Sequence, residues 1–268
     1  MTPDGTRAVR VDGDEATEID QMADVGQVLR QGALAMAAEA SGRSYPLFAA
    51  QLALPVLSPA KVICVGQNYR SHVEELGQEI PSYPTLFHKW PSALLAHGQP
   101  IELPPESSQV DWEGELVLVI GQSVRRATER QAEEAIAGYT IMCDTSMRDW
   151  QNRTGQNLQG KNWDRSTPVG PVVVTADQFN PEARVTTALN GGVVQHCPVS
   201  DLIFSPVELV QYISTVVRLQ PGDLIATGTP SGVGHAHRPA YYLEAGDELS
   251  VSIGSIGTLT NPVRAEVV

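Results

Sequence analysis

The stretch 111–121 changes from polar to apolar residues and predicts a β-strand. Residues 116–120 form an uninterrupted apolar run that Gly121 ends, and a short run of this kind before a turn residue is typical of a buried strand. Because side chains alternate between the two faces of a strand, Glu113 and Glu115 are predicted to point the same way. The pattern therefore predicts two adjacent carboxylates at the beginning of a buried strand.

Shorter signals elsewhere predict the other elements. They are a hairpin within 7–19, a helix from Asp24 to about Ala38, strands at 61–65, 139–143, 172–175, 224–226 and 249–253, a short helix within 68–76, a helix capped by Thr128 and ended by Gly138, a hairpin at 188–194 and a helix capped by Ser205. Residues 77–110 are rich in Pro, Gly and Ser and are predicted to be loops around one short strand at 85–87. Strands do not alternate regularly with long helices, which favours the α+β class over a doubly wound fold. We expect a boundary near residue 57, between a small N-terminal region, 1–57, and a main domain, 58–268.

Composition and charge exclude several classes of protein. The 268 residues are 42% hydrophobic, enough for a large core, and their formal net charge of −13 disfavours nucleic acids and anionic membranes as partners. The chain has no apolar run of transmembrane length, its N-terminus lacks the apolar core of a signal peptide, and its three cysteines form no C-x-x-C pair. We therefore expect a cytoplasmic protein that binds neither nucleic acid nor membrane.

Two neighbouring carboxylates raise each other's pKa unless a cation lies between them. A solvated strand face would accommodate Glu113 and Glu115, but so would a hard divalent cation such as Mg²⁺, which takes oxygen ligands. Asp144 follows an apolar strand and is a candidate third ligand, although an isolated aspartate at such a place is usually a turn or cap residue. Arg148 and Gln151 follow shortly afterwards, so several polar side chains are predicted near one sheet edge.

Five segments carry a more specific signal. They are GQNYRSHVEE at 66–75, DWEGEL at 111–116, GYTIMCDTSMRD at 138–149, GKNWD at 160–164 and TGTPSGVG at 227–234. In order and spacing they resemble the motifs of the fumarylacetoacetate hydrolase family, whereas residues 1–57 resemble only its variable N-terminal region. Cys143 and Trp163 stand where asparagine and phenylalanine are usual. The resemblance implies a mixed β-sandwich roll, the fold of that family's C-terminal domain.

The resemblance also implies roles for side chains, a cofactor and an oligomeric state. It places Mg²⁺ or Mn²⁺ on Glu113, Glu115 and Asp144, catalysis on Lys161 and on a His72–Glu75 dyad carried by a mobile lid, and substrate contacts on Arg148, Gln151 and Thr229. It further implies that the protein is a homodimer.

The residues themselves are consistent with these roles. His72 and Glu75 are three positions apart, so on a helix they share a face, and a carboxylate on one ring nitrogen raises the basicity of the other. Such a pair suits a general base. The glycine-rich stretch 227–234 lacks the lysine pattern of a phosphate loop, and we expect it to offer backbone N–H groups and the Thr229 hydroxyl to a carboxylate or oxyanion.

Together these features predict a metal-dependent enzyme acting on small anionic 2-oxo acids. The expected reaction is hydrolysis of a C–C bond in a 2,4-dioxo acid, an acylpyruvate such as fumarylpyruvate, through an enolate that the metal and Lys161 stabilise. Decarboxylation of oxaloacetate and isomerisation of an unsaturated 2-oxo diacid share this enolate and are alternatives. A non-catalytic metal- or ligand-binding protein is a further alternative. The presence of His72, Glu75 and Lys161 disfavours it, because a binding protein needs no general base.

Overall fold

The computed structural model describes residues 5–267. The strands of this part of the chain are β1 Val9–Asp12, β2 Glu15–Glu18, β3 Ser44–Pro46, β4 Val62–Gly66, β5 Thr85–His88, β6 Leu94–Ala96, β7 Ile101–Leu103, β8 Val110–Asp111, β9 Gly114–Ile120, β10 Ile136–Cys143, β11 Ser146–Met147, β12 Thr167–Thr175, β13 Arg184–Leu189, β14 Gly192–Pro198, β15 Leu224–Ala226, β16 Glu248–Ile253 and β17 Gly257–Ala265. Its α-helices are α1 Val25–Arg30, α2 Leu34–Ala38, α3 Arg70–Glu75, α4 Glu129–Ala135, α5 Arg148–Gln151, α6 Leu158–Lys161 and α7 Pro206–Val216. No helix within 5–267 has the length and apolar character needed to cross a membrane.

The strands form two large sheets and two small ones. A seven-stranded sheet has the order β5-β4-β15-β9-β10-β12-β6, and a five-stranded sheet has the order β14-β13-β16-β17-β7. β1, β2 and β3 form a three-stranded sheet near the N-terminus, and β11 pairs with β8. Parallel pairs join β15 to β4, β12 to β6 and β17 to β7, whereas the other pairs are antiparallel. This mixture of sheets and separate helices confirms the predicted α+β class.

The two large sheets pack face to face around a shared core. Leu116 and Ile141 of the seven-stranded sheet meet Val185, Val251 and Leu259 of the five-stranded sheet in one buried cluster. Two sheets that bury their inner faces against each other form a β-sandwich, as the resemblance to the fumarylacetoacetate hydrolase family implies.

Strand β9 runs through the middle of the seven-stranded sheet, and all of its residues are buried. Leu118 and Ile120 pack against the helices α4 and α7, whereas Val117 and Val119 belong to a separate cluster that includes Leu29 of α1. Because both faces of the strand are covered, its sequence is continuously apolar instead of alternating. This well-packed strand provides a rigid support for the glutamates at its beginning.

The predicted helix from Asp24 to Ala38 is two short helices, α1 and α2. Gly32 lies between them with φ at +64°, a left-handed conformation that ends a helix. Asp24 caps α1 as predicted, because its Oδ1 accepts a hydrogen bond from the backbone N–H of Gln27 at 2.7 Å.

The helix that Thr128 caps ends at Ala135, and Gly138 lies inside β10 instead of ending the helix. A Cβ atom on Gly138 would lie 2.2 Å from the carbonyl oxygen of Val174, so this glycine permits a close approach of β12. The region 77–110 also differs from its prediction, because it contains β6 and β7 in addition to β5. These two strands pair with β12 and β17, which are distant in sequence, so no local signal marks them.

Candidate active site

Three carboxylates meet where β9 and β10 lie side by side. Cys143 pairs with Gly114, and the backbone N–H of Asp144 donates to the carbonyl oxygen of Glu113 at 2.8 Å, which places these two acidic residues opposite each other. Glu113, Glu115 and Asp144 each offer an oxygen, and these oxygens lie within 4.8 Å of one another. All three residues are buried, so a solvated strand face is excluded.

Three buried cations compensate two of these carboxylates. Lys161, the last residue of α6, places Nζ 2.7 Å from Glu113 Oε2 and 2.8 Å from Asp144 Oδ2. Arg148 Nη2, at the start of α5, lies 2.7 Å from Glu113 Oε1. Lys89 directly follows β5, and its Nζ lies 2.6 Å from Asp144 Oδ1. Glu113 and Asp144 therefore each contact two cations.

The negative charge of Glu115 is not compensated by a neighbouring cation among the described residues. No lysine or arginine of the described chain lies within ion-pair distance of it, and its Oε2 instead accepts a hydrogen bond from Gly228 N at 2.8 Å. Burial, and then the charges of Asp144 and Glu113, raise the pKa of Glu115 well above its usual value. Burial also raises the pKa of Glu113, but Lys161 and Arg148 outweigh it and lower that pKa to about 2.

This set of donors fits a hard divalent cation. Mg²⁺ and Mn²⁺ prefer carboxylate oxygens, and three carboxylates at the neighbouring ends of β9 and β10 can converge on one ion. Glu115, which is 2% exposed, would gain from the ion the opposite charge that it otherwise lacks. The residues present therefore fit the Mg²⁺ or Mn²⁺ that the sequence analysis expects on Glu113, Glu115 and Asp144.

The predicted dyad is formed within α3. His72 Nδ1 and Glu75 Oε2 are 3.0 Å apart, and the side chain of His72 is only 10% exposed. Glu75 Oε1 accepts a second hydrogen bond from Gly232 N at 2.8 Å, which connects α3 to the glycine-rich segment 227–234. Nε2 of His72 makes no hydrogen bond with the described residues, so it is the nitrogen available for proton transfer. A charge on His72 is one of the influences that lower the pKa of Glu113, which places the dyad close to the carboxylates.

The segment 227–234 offers backbone N–H groups to carboxylates, as the sequence predicts, but these carboxylates belong to the protein itself. Its N–H groups at Gly228, Gly232 and Gly234 donate to the protein's own Glu115, Glu75 and Asp111, respectively. The hydroxyl of Thr229 donates to the carbonyl oxygen of Gly114 at 3.0 Å, so its proton is not available to a substrate anion. The segment therefore positions acidic residues of the site through backbone hydrogen bonds. The substrate contact of Thr229 stays a prediction.

Arg148 and Gln151 lie together, because Arg148 Nη1 donates to Gln151 Oε1 at 2.9 Å. Their proposed contacts with a substrate, like the catalytic roles of the other residues, stay predictions. Asp111 is fully buried and its Oδ2 accepts a hydrogen bond from Arg148 Nε at 2.8 Å, but it is not among the predicted site residues. Lys89 is not among the predicted site residues either, because no local pattern distinguishes it from an ordinary lysine at a strand end.

Sequence comparison finds relatives, and two of the three described here have an activity in their names. The chain is 43% identical over 225 residues to Protein Rv2993c of Mycobacterium tuberculosis, covering 83% of this chain and 82% of that protein. It is 41% identical over 225 residues to the oxaloacetate tautomerase YisK of Bacillus subtilis, covering 82% of this chain and 75% of that protein. It is 38% identical over 216 residues to the mitochondrial oxaloacetate tautomerase fahd2 of Xenopus laevis, covering 79% of this chain and 68% of that protein.

Solved structures resemble the whole chain. A 5-carboxymethyl-2-hydroxymuconate delta-isomerase from Mycobacterium smegmatis matches with a TM-score of 0.82 and 37% identity, over 100% of this chain and 97% of that one. A fumarylacetoacetate hydrolase from Exiguobacterium antarcticum matches with a TM-score of 0.89 and 34% identity, over 99% of this chain and 97% of that one. Residues 61–264 match the family of the fumarylacetoacetate (FAA) hydrolase C-terminal domain. The protein therefore belongs to the fumarylacetoacetate hydrolase family and has the fold that its motifs predict.

Proposed function

We propose that this protein interconverts the keto and enol forms, or double-bond isomers, of a small 2-oxo dicarboxylic acid of the oxaloacetate type. The main support is that the hydrogen-bonded pair His72 and Glu75 lies close enough to the buried Glu113, Glu115 and Asp144 for His72 to act electrostatically on Glu113. The choice among reactions follows the relatives, of which two are named oxaloacetate tautomerase and one structure is named an isomerase. These names favour reactions of the isomerase type, which the motifs leave as an alternative, over the hydrolysis of an acylpyruvate that is the main expectation.

Mg²⁺ or Mn²⁺ bound by the three carboxylates would supply a Lewis acid for the 2-oxo oxygen. His72 Nε2 accepts the proton that leaves the carbon next to the 2-oxo group, and the resulting imidazolium returns it to the oxygen. Glu75 holds Nδ1 of the ring and stabilises its positive charge, and Gly232 N–H keeps Glu75 in place. The reaction consumes no water and forms no new bond between heavy atoms.

Lys161 provides a permanent positive charge beside this proton transfer. Burial lowers the pKa of its ammonium, but Asp144 and Glu113 outweigh burial and raise the pKa above its usual value. The group therefore stays charged over the working pH range and stabilises negative charge on a substrate oxygen. Lys161 does not act as the proton donor, because an ammonium group with a raised pKa is a weak acid.

The proposal is tested by following the ultraviolet absorbance of enol-oxaloacetate with Mg²⁺ and enzyme, against Mg²⁺ in buffer alone. His72→Ala should slow the enzymatic rate by about 10²–10⁴-fold, the usual contribution of a general acid–base group. Its Mn²⁺ affinity should not change, because His72 is not proposed as a ligand. His196→Ala removes an exposed histidine from β14 and is the matched control. An undiminished rate in His72→Ala would exclude the dyad as the proton carrier.

Hydrolysis of an acylpyruvate is the second candidate, supported by the similarity to the Exiguobacterium antarcticum fumarylacetoacetate hydrolase. In that reaction His72 would activate a water molecule for attack on the distal carbonyl group. Acetylpyruvate assayed with the same preparation separates the two reactions. Cleavage that is faster than oxaloacetate tautomerisation, and is lost in His72→Ala, would replace the isomerase proposal with the hydrolase one.

A further inference from the structure

Gln195 lies where the five-stranded sheet meets the beginning of β9 and the segment 227–234. It belongs to β14, it is 1% exposed, and no role follows for it from the proposed reaction. Its side-chain amide makes four hydrogen bonds, which is the full capacity of a glutamine amide. Oε1 accepts from Gly114 N at 3.0 Å and Thr187 Oγ1 at 2.7 Å, and Nε2 donates to Thr229 Oγ1 and Pro230 O, both at 2.9 Å.

The directions of these hydrogen bonds are determined by two backbone groups. Gly114 N can only donate and Pro230 O can only accept, so Oε1 must face the first and Nε2 the second. Thr229 Oγ1 then accepts from Nε2, and its own proton goes to Gly114 O at 3.0 Å. Gln195 therefore holds both backbone groups of Gly114, one directly and the other through Thr229.

Gly114 is the residue between two of the expected metal ligands. Movement of its peptide groups would change the direction in which the side chains of Glu113 and Glu115 point. Gly114 packs tightly against the five-stranded sheet, because a Cβ atom on it would lie 2.3 Å from Thr187 Oγ1 and 3.3 Å from Gln195 Oε1. The segment 227–234 is equally close to β14, since a Cβ atom on Gly232 would lie 2.0 Å from Val194 O.

We propose that Gln195 is a positioning residue that aligns Glu113 and Glu115 for the metal and fixes Thr229 as a hydrogen-bond acceptor. A hydroxyl whose proton is committed can accept, but not donate, a further hydrogen bond. Thr229 thus favours a protonated oxygen, such as an enol hydroxyl, over an anionic one. This inference rests on the proposed function, because it concerns the same metal and substrate.

The test measures Mn²⁺ affinity of the full-length apoprotein by calorimetry. Gln195→Met keeps the length of the side chain and removes all four hydrogen bonds, and Mn²⁺ binding should weaken by about 10- to 100-fold, as for other residues that orient metal ligands. Asn261→Leu is the matched control. Asn261 is a buried amide of β17 in the same sheet and donates to Ala96 O at 2.9 Å and Gln99 O at 2.7 Å, away from the carboxylates.

Thr187→Val is the milder second variant, which serves if Gln195→Met does not fold. It removes one hydrogen bond to Oε1 and no backbone contact, so Mn²⁺ affinity should fall by about 2- to 10-fold. Enzymatic ketonisation adds a second readout, in which Gln195→Met should raise KM for enol-oxaloacetate.

The outcomes separate this inference from the proposed function. Weaker Mn²⁺ binding in the Gln195 and Thr187 variants, with unchanged binding in Asn261→Leu, supports the inference. Unchanged Mn²⁺ affinity in both variants, or an equal loss of affinity in Asn261→Leu, overturns the inference. The proposed metal site still stands in that case if the wild-type protein binds Mn²⁺. A wild-type protein that binds no Mn²⁺ contradicts the proposed function itself, and the inference falls with it.

Discussion

The substitution Gly114→Ala tests how tightly the beginning of β9 packs against the five-stranded sheet. The new methyl group would lie 2.3 Å from Thr187 Oγ1 and 3.0 Å from Val251 Cγ1, both on the facing five-stranded sheet. Neither neighbour can rotate freely away, because Thr187 is fully buried and bonded to Gln195, and Val251 lies in the core between the sheets. The two sheets must therefore move apart locally, or the strand must shift.

Overpacking of a well-packed core costs about 1–3 kcal/mol, and two contacts this short place Gly114→Ala at the upper end, about 2–3 kcal/mol. For a domain of this size that loss lowers the melting temperature by about 4–12 °C. Mn²⁺ affinity should fall as well, because the shifted residue lies between Glu113 and Glu115.

The assay combines urea unfolding with a double-mutant cycle. Thr187→Ala removes the closest atom, so Gly114→Ala should cost at least about 1 kcal/mol less in a Thr187→Ala background than in the wild-type one. Gly155→Ala is the control, since a Cβ atom there meets no atom within 4 Å and its effect should stay within about 0.5 kcal/mol. Wild-type stability in Gly114→Ala, or simple additivity in the cycle, would refute the reasoning.

Further expectations concern the metal, pH, a helix cap and assembly. Glu113→Gln and Asp144→Asn should each lose most Mn²⁺ binding in calorimetry, and undiminished affinity in both would remove the metal site. Because the pKa of Glu115 is raised and an ion binds its deprotonated form, Mn²⁺ affinity should rise with pH and binding should release a proton, which titrations in two buffers of different ionisation enthalpy detect. Ser205→Ala removes the capping box of α7 and should lower the free energy of unfolding by about 1 kcal/mol in urea titrations. The resemblance to the family leads us to expect a homodimer, and sedimentation at micromolar concentration showing only monomer would contradict this.

Several local features could be predicted because they depend on neighbours in sequence. Glu113 immediately precedes β9 and Glu115 is its second residue, and their side chains lie on the same side because side chains of an extended chain alternate between faces. Asn190 and Gly191 have φ values of +52° and +79°, as expected for a two-residue hairpin turn between β13 and β14. Ser205 caps α7 as predicted, and it forms a capping box with Glu208. In each case one short segment contains all the groups involved.

The sequence by itself determined the family, the α+β class, the three candidate metal ligands and the His72–Glu75 pair, because these depend on motifs and on spacing within single elements. Only the tertiary structure decided which partners those residues have. Lys89 contacts Asp144 across 55 positions, and Gln195 reaches Gly114 across 81, so neither contact leaves a local pattern. The segment 227–234 likewise holds Glu115, Glu75 and Asp111, which come from other elements. Hydrogen bonds and charge compensation depend on distance in space, and the packing of two sheets sets that distance.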